Sequence, residues 1–183
     1  MTWLPGVDLQ EKGKKPLEAD LAAFCGRIGR GHCGREPILV LGECKSYGPF
    51  KKRDVDRMAT LAAIFPGSTI AFCTLRTELT SEEITRIALL AKKGREIWRG
   101  DMWHNPVLVL TGTELFDFDG PPICWKGKQF PVYLQKMLLV RDIYELCDIT
   151  QQLHLNMVPH ATWQAQEFEK QKNRRAKKRE QNP

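Results

Sequence analysis

One stretch constrains the fold of this chain more than any other: Ile38-Leu39-Val40-Leu41-Gly42-Glu43-Cys44-Lys45. Its unbroken aliphatic run describes a buried strand, and that strand ends in an acid and a lysine two positions apart. Side chains alternate along a strand, so Glu43 and Lys45 project to one side and Cys44 to the other. Each charge is costly to desolvate alone, and a charged pair closing an apolar strand points to a site rather than to packing. A strand-end salt bridge is the plainer alternative.

Shorter strands are expected over residues 6–10, 18–25, 69–75 and 106–111, with a polar turn over 12–16. Gly26, Gly29, Gly31 and Gly34 mark a flexible connection into the Ile38 strand. No helical pattern follows them and their spacing departs from GxGxxG, so they read as a hairpin connection rather than a phosphate loop. Val55, Met58, Leu61 and Ala62 recur at helical spacing after Asp54, a candidate N-cap, and Phe65-Pro66-Gly67 is a stop signal. Thr80-Ser81-Glu82-Glu83 opens a second helix, with Ile84, Ile87, Ala88 and Ala91 on one face and Lys92, Lys93 and Gly94 at its end.

The early strands suit an antiparallel hairpin and the later ones suit parallel crossovers, so the expected class is α/β, a mixed β-sheet flanked by helices. Ile143, Leu146, Cys147, Thr150 and Leu153 form the stripe of a further helix packed on the body. The expected organisation is an α/β domain over 1–130, a helical C-terminal extension over 131–160 and a basic, flexible tail over 161–183.

A chain of 183 residues fits one such domain with a helical appendage. It has no apolar run of membrane-spanning length and no signal-like start, so a soluble, cytoplasmic protein is expected. The cysteines, at 25, 33, 44, 73, 124 and 147, make no CxxC pair, which favours free thiols in a reducing compartment. The formal charge of +6 is concentrated at the end of the chain: seven basic residues and no acid lie between Lys170 and Arg179. Such a segment neutralises phosphates without regard to sequence, or serves only as a solubilising end.

Asp20 adds a second acid on the strand before the glycine-rich connection. If that strand pairs with the Ile38 strand, their backbones lie about 4.8 Å apart, close enough for Asp20 and Glu43 to share a cation. A hard divalent ion such as Mg²⁺ suits two carboxylates, because it takes oxygen ligands and keeps several waters. Lys45 beside such a water would orient it or favour its deprotonation, and would offset charge on a phosphorane-like transition state.

Asp20, then Glu43-Cys44-Lys45 ending an apolar strand, then a helix, resembles the PD-(D/E)XK nuclease superfamily, which has the restriction-endonuclease-like fold. The resemblance covers roughly residues 6–111. It implies that Asp20 and Glu43 are metal ligands, that Lys45 is the catalytic lysine and that the Cys44 carbonyl is a further metal contact. The implied activity is hydrolysis of phosphodiester bonds in DNA with Mg²⁺ or Mn²⁺. Members usually carry a helix before the first strand, often with another supporting acid. Few residues precede Gly6, so the chain is expected to be a segment of a longer polypeptide, to draw on a partner subunit, or to be impaired.

Lys51, Lys52 and Arg53, and Arg174, Arg175, Lys177 and Lys178 near the end of the chain, are the candidate DNA-backbone contacts. Trp98, Trp103 and His104 are expected to pack under a loop. His32 and Cys33 with Cys25 make a poor zinc set, and Asp117, Asp119 and Gly120 make a poor calcium loop. The rival to the nuclease is a non-catalytic nucleic-acid-binding or assembly module that keeps the same fold.

Overall fold

Alternation along the strands sorts the apolar residues onto two sides of a five-stranded sheet. The computed structural model describes residues 2–9, 16–25, 37–100, 102–116 and 142–181. Strands β1 (Thr2–Leu9), β2 (Leu17–Cys25) and β3 (Ile38–Lys45) pair antiparallel in sequence order. A crossover through α1 (Lys52–Ile64) then brings β4 (Thr69–Thr74) parallel to β3. After α2 (Ser81–Gly94) and a small hairpin, β5 (Ile97–Arg99) with β6 (Met102–Trp103), the edge strand β7 (Val107–Thr111) lies parallel to β4. The expected mixed α/β sheet is therefore present. The glycine-rich connection, the His32–Cys33 pair and the Asp117–Gly120 segment lie outside the described residues.

Leu41, Ile70, Phe72, Val107 and Val109 face one side, where Val55, Met58 and Leu61 of α1 and Ile87 and Ala91 of α2 cover them. Val40, Ala71 and Leu108 face the other, against Trp103 and Cys147. The first strand begins earlier than its apolar pattern suggests because Pro5 is tolerated on a sheet edge, where its missing N–H is not needed. Gly6 (φ 55) takes a left-handed conformation there, and the pairing steps over it from Pro5↔Leu21 to Val7↔Ala19.

Beyond β7, the helix α3 (Ile143–Leu155) replaces a sixth strand. The Val109 N–H donates to Thr150 Oγ1 at 3.3 Å and the Gln151 amide donates to the Val107 carbonyl at 2.7 Å, so two adjacent side chains satisfy the strand's outer edge. This closes an edge that would otherwise pair with other chains. Thr150→Val keeps the shape but leaves the Val109 N–H buried without an acceptor. It should cost about 1–2 kcal/mol, read as a lower denaturant midpoint at unchanged m-value.

Arg95, fully buried, fastens α2 to this extension. Its guanidinium donates to Gln151 Oε1 (2.7 Å), to the Val158 carbonyl (2.8 Å) and to Asp148 Oδ1 (3.0 Å). Asn156, left-handed at φ 54, ends α3. The chain then turns into α4 (His160–Gln181), whose first residue stacks on Trp103 with ring centroids 4.3 Å apart. Burial and the nearby Arg95 charge lower the His160 pKa to about 4, so this ring is neutral.

Two expectations change here. Up to Gln181, the segment expected as a flexible tail is a continuous helix, in keeping with its many Ala, Gln, Glu, Lys and Arg residues and the Lys170–Glu167 pair at 2.6 Å. The aromatic residues between α2 and β7 belong to the β5–β6 hairpin, too short to show a period, and Trp103 does pack inside as expected. Among the described residues, no helix is long and apolar enough to cross a membrane.

Candidate functional site

The C-terminal end of β3 carries Glu43 and Lys45 to the side of the sheet covered by α1. Their odd-numbered positions continue the Leu39 and Leu41 face, whereas Cys44 lies on the other face beside Cys73 of β4. Glu43 is fully buried, and such a carboxylate needs charged partners. Lys45 Nζ lies 2.6 Å from its Oε1, although that oxygen has no well-aligned hydrogen bond. Arg57 Nη2, from the second turn of α1, donates to its Oε2.

Asp54, buried in the first turn of α1, stands 3.7 Å from Lys45 Nζ, and its carboxylate also accepts the Lys51 N–H at 2.8 Å. Asp54 is thus the third helical residue and not the N-cap expected from sequence; Lys51 takes the cap position. Burial pulls the Lys45 ammonium down, but contact with Glu43 and the charges of Glu43, Asp54 and Asp20 outweigh it and hold its pKa above the ordinary lysine value. Lys45 is therefore protonated at neutral pH.

Asp20 reaches the same place from β2. Ladder pairing runs from Cys25↔Ile38 to Leu21↔Gly42, and one step further the Asp20 carboxylate takes the Cys44 N–H at 2.7 Å. In an extended strand the N–H and C=O of one residue point to the same edge, so the Cys44 carbonyl is directed toward the Asp20 side. The three acids and the lysine are thus brought together by two strands and one helix.

The loop between β3 and α1 is tied down by a residue that the sequence presented only as a helix opener. Glu83 makes the expected capping box with Thr80, whose N–H donates at 2.8 Å, but its carboxylate also accepts the Phe50 N–H at 2.6 Å and a donor from Arg76. Burial raises its pKa, and the hydrogen bonds from Arg76, Thr80 and Phe50 more than offset this, leaving it below its ordinary value. Phe50 is fully buried edge-on against Phe72, and together these contacts anchor the start of α1 and so Asp54 and Arg57.

Lys51, Lys52 and Arg53 stand exposed at the N-terminus of α1, with Lys52 paired to Asp56 at 2.6 Å and Arg53 3.7 Å from Asp54. Arg174 is exposed on α4, and the backbones of Arg175, Lys177 and Lys178 continue that helix. The first residue of this helix, His160, packs on Trp103, on the face of the sheet opposite Glu43. Arg57, the second role of Asp54, and Glu83 were missed. One signal was available: Asp54 and Arg57 sit three apart, next to the buried stripe of α1, where two charges need a partner across the interface.

The donor set fits a hard cation. Mg²⁺ commonly takes one or two protein carboxylates and fills its remaining positions with water and phosphate oxygens, and Asp20, Glu43 and the Cys44 carbonyl are all oxygen donors. Asp20, Glu43 and Asp54, with the exposed Glu18 near Arg57, outnumber the three cations Lys45, Arg57 and Arg53. Glu43 Oε1 lies against the Lys45 ammonium and Oε2 against Arg57, so a metal here would share these oxygens with the two side chains. Among the described residues, no group of three or more His, Cys, Asp or Glu side chains converges as a ready-made cage. Compared with known proteins, the chain matches no family model, no curated protein and no solved structure.

Proposed function

We propose that this protein is a cytoplasmic, metal-dependent nuclease that hydrolyses phosphodiester bonds in DNA, and that its mixed sheet is of the restriction-endonuclease-like type. The observation that carries the reading is Glu43, a fully buried carboxylate at a strand end with Lys45 against one oxygen and Asp20 one strand away. The order of three antiparallel strands, a helix and a parallel strand supports it too, since the resemblance implies that order. The free thiols of Cys25, Cys44, Cys73 and Cys147 suit a reducing compartment.

Asp20, Glu43 and the Cys44 carbonyl would hold Mg²⁺ or Mn²⁺, which supplies Lewis-acid charge neutralisation and lowers the pKa of a bound water. Lys45, paired with the Glu43 carboxylate, would act as a charged donor at this site. It orients the attacking water or stabilises charge on the phosphate oxygens, with Asp54 holding the ammonium from behind. Lys51, Lys52 and Arg53 supply backbone phosphate contacts beside the positive end of α1. The basic end of α4 would add sequence-independent affinity.

A second reading has its own support. Both oxygens of Glu43 already lie against cations of the same chain, and a self-neutralised cluster suits a non-catalytic nucleic-acid-binding or assembly module, joined to a longer polypeptide or a partner subunit. Labelled duplex, single-stranded and branched DNA incubated with Mg²⁺ or with EDTA separates the two. Cutting only with Mg²⁺ is the expected result, whereas retained DNA binding with no cutting under any divalent metal would transfer the assignment to the module.

A further inference from the structure

Arg57 occupies an unusual position for a surface-accessible guanidinium. It rises from α1 so that Nη2 meets the buried Oε2 of Glu43 while Nη1 stands 3.8 Å from the exposed Glu18 carboxylate. Its side chain is 26% exposed, yet its Nε is buried and has no hydrogen-bond partner. The guanidinium therefore uses one strong donor on Glu43 and one long ion pair, and leaves the edge containing Nε without its second bond. A guanidinium fork is matched to a planar, two-oxygen acceptor, and a single carboxylate oxygen does not fill it.

Two demands meet at Glu43 Oε2. Without a metal, a buried carboxylate needs a counter-charge, and Arg57 provides it from the same chain. A divalent ion held by Asp20 and Glu43 would compete for that oxygen and repel the guanidinium. Glu18, 3.8 Å from Nη1, is itself 60% exposed, so this flank of Arg57 borders solvent.

We infer that Arg57 is the phosphate fork of this site: it shields Glu43 when no metal is bound and, once released from Oε2, grips the non-bridging oxygens of a DNA phosphodiester. This inference rests on the metal-site reading above. It assigns Arg57 two opposed effects, since the same guanidinium weakens metal binding and strengthens substrate binding. A residue that merely braced the fold would do neither.

The test uses the full chain and needs no turnover. Mn²⁺ is titrated calorimetrically into the wild type, Arg57→Met, Arg57→Lys and Glu43→Gln, and the affinity for a short duplex DNA is then measured in Ca²⁺. Arg57→Met should bind Mn²⁺ about tenfold more tightly and the duplex about tenfold more weakly, each change being the worth of one charge-assisted contact. Arg57→Lys, which keeps the charge without the fork, should hold near wild-type Mn²⁺ affinity and still lose duplex affinity. Thermal melting checks that each variant is folded, and the lysine variant decides the matter if the methionine one is not.

Unchanged or weaker Mn²⁺ binding by folded Arg57→Met, with Glu43→Gln losing it, would overturn the role of Arg57 and leave the metal site standing. Duplex affinity that survives both Arg57 substitutions overturns the fork. Equal absence of Mn²⁺ binding in the wild type and Glu43→Gln overturns the metal site itself, and this inference with it.

Discussion

In the nuclease we propose, Glu43→Gln should lower Mg²⁺-dependent DNA cleavage by about a thousandfold or more, because loss of a metal's charge stabilisation removes several kcal/mol from the transition state and each 1.36 kcal/mol is tenfold. The substitution keeps the shape and one acceptor oxygen, so the side chain still fills its fully buried position. It removes the negative charge that Lys45 and Arg57 share. Both cations are about a quarter exposed, so water takes up part of the imbalance and the stability cost should be only about 1–2 kcal/mol. A steady-state comparison at saturating Mg²⁺, with melting curves on the same samples, checks the prediction. A folded glutamine variant that cuts within tenfold of wild type would remove Glu43 from the chemistry and leave a strand-end ion pair.

Gly94→Ala should destabilise the protein by about 3 kcal/mol or more, an effect usually confined to large core truncations. Gly94 is the last residue of α2, and a methyl group on it would fall 2.0 Å from the Asn105 carbonyl oxygen. Neither side can yield cheaply. The Gly94 carbonyl accepts the Asn105 N–H at 3.1 Å, and the Asn105 side chain donates to the Phe65 and Ser68 carbonyls at 2.9 and 3.0 Å. On the helix side, the next residue is the buried Arg95 that ties α2 to α3. Glycine is needed here for close backbone approach, and ordinary helix propensity would have made alanine the better residue. Urea unfolding of the two proteins measures the difference, and a loss below about 1 kcal/mol would mean that the segment before β7 moves aside freely.

Gly94 also shows where sequence reading reaches its limit. As a sequence signal it marked the end of a helix, which is correct, but nothing local announced that Asn105 would press against it. The same division runs through the site. Glu43 and Lys45 were legible as neighbours because a strand's period of two puts residues two apart on the same face. Asp20 was legible because an antiparallel hairpin brings one strand's residues opposite the next, and it does reach the end of β3, through the Cys44 N–H.

Arg57 and Glu83 were not legible as site residues. Their contacts cross from helices to a strand end and a loop, at separations of 14 residues for Arg57 to Glu43 and 33 for Phe50 to Glu83, and no periodicity encodes which residue of a helix will stand over which end of a strand. The C-terminal part divides in the same way. The stripe of α3 was visible in its spacing, but Thr150 and Gln151 acquired their role only when that helix was laid along the open edge of β7.

By itself, then, the sequence determined the strands and helices with strong periods, the mixed α/β class and the meeting of Asp20, Glu43 and Lys45 at one strand end, since these follow from short-range alternation and hairpin pairing. Tertiary structure alone decided that Glu43 is sealed beneath α1 between Lys45 and Arg57, that Asp54 backs the lysine, and that a helix closes the sheet edge. Those outcomes depend on how buried charges and unpaired backbone groups find partners across the packed layers, and that selection is made only when the layers come together.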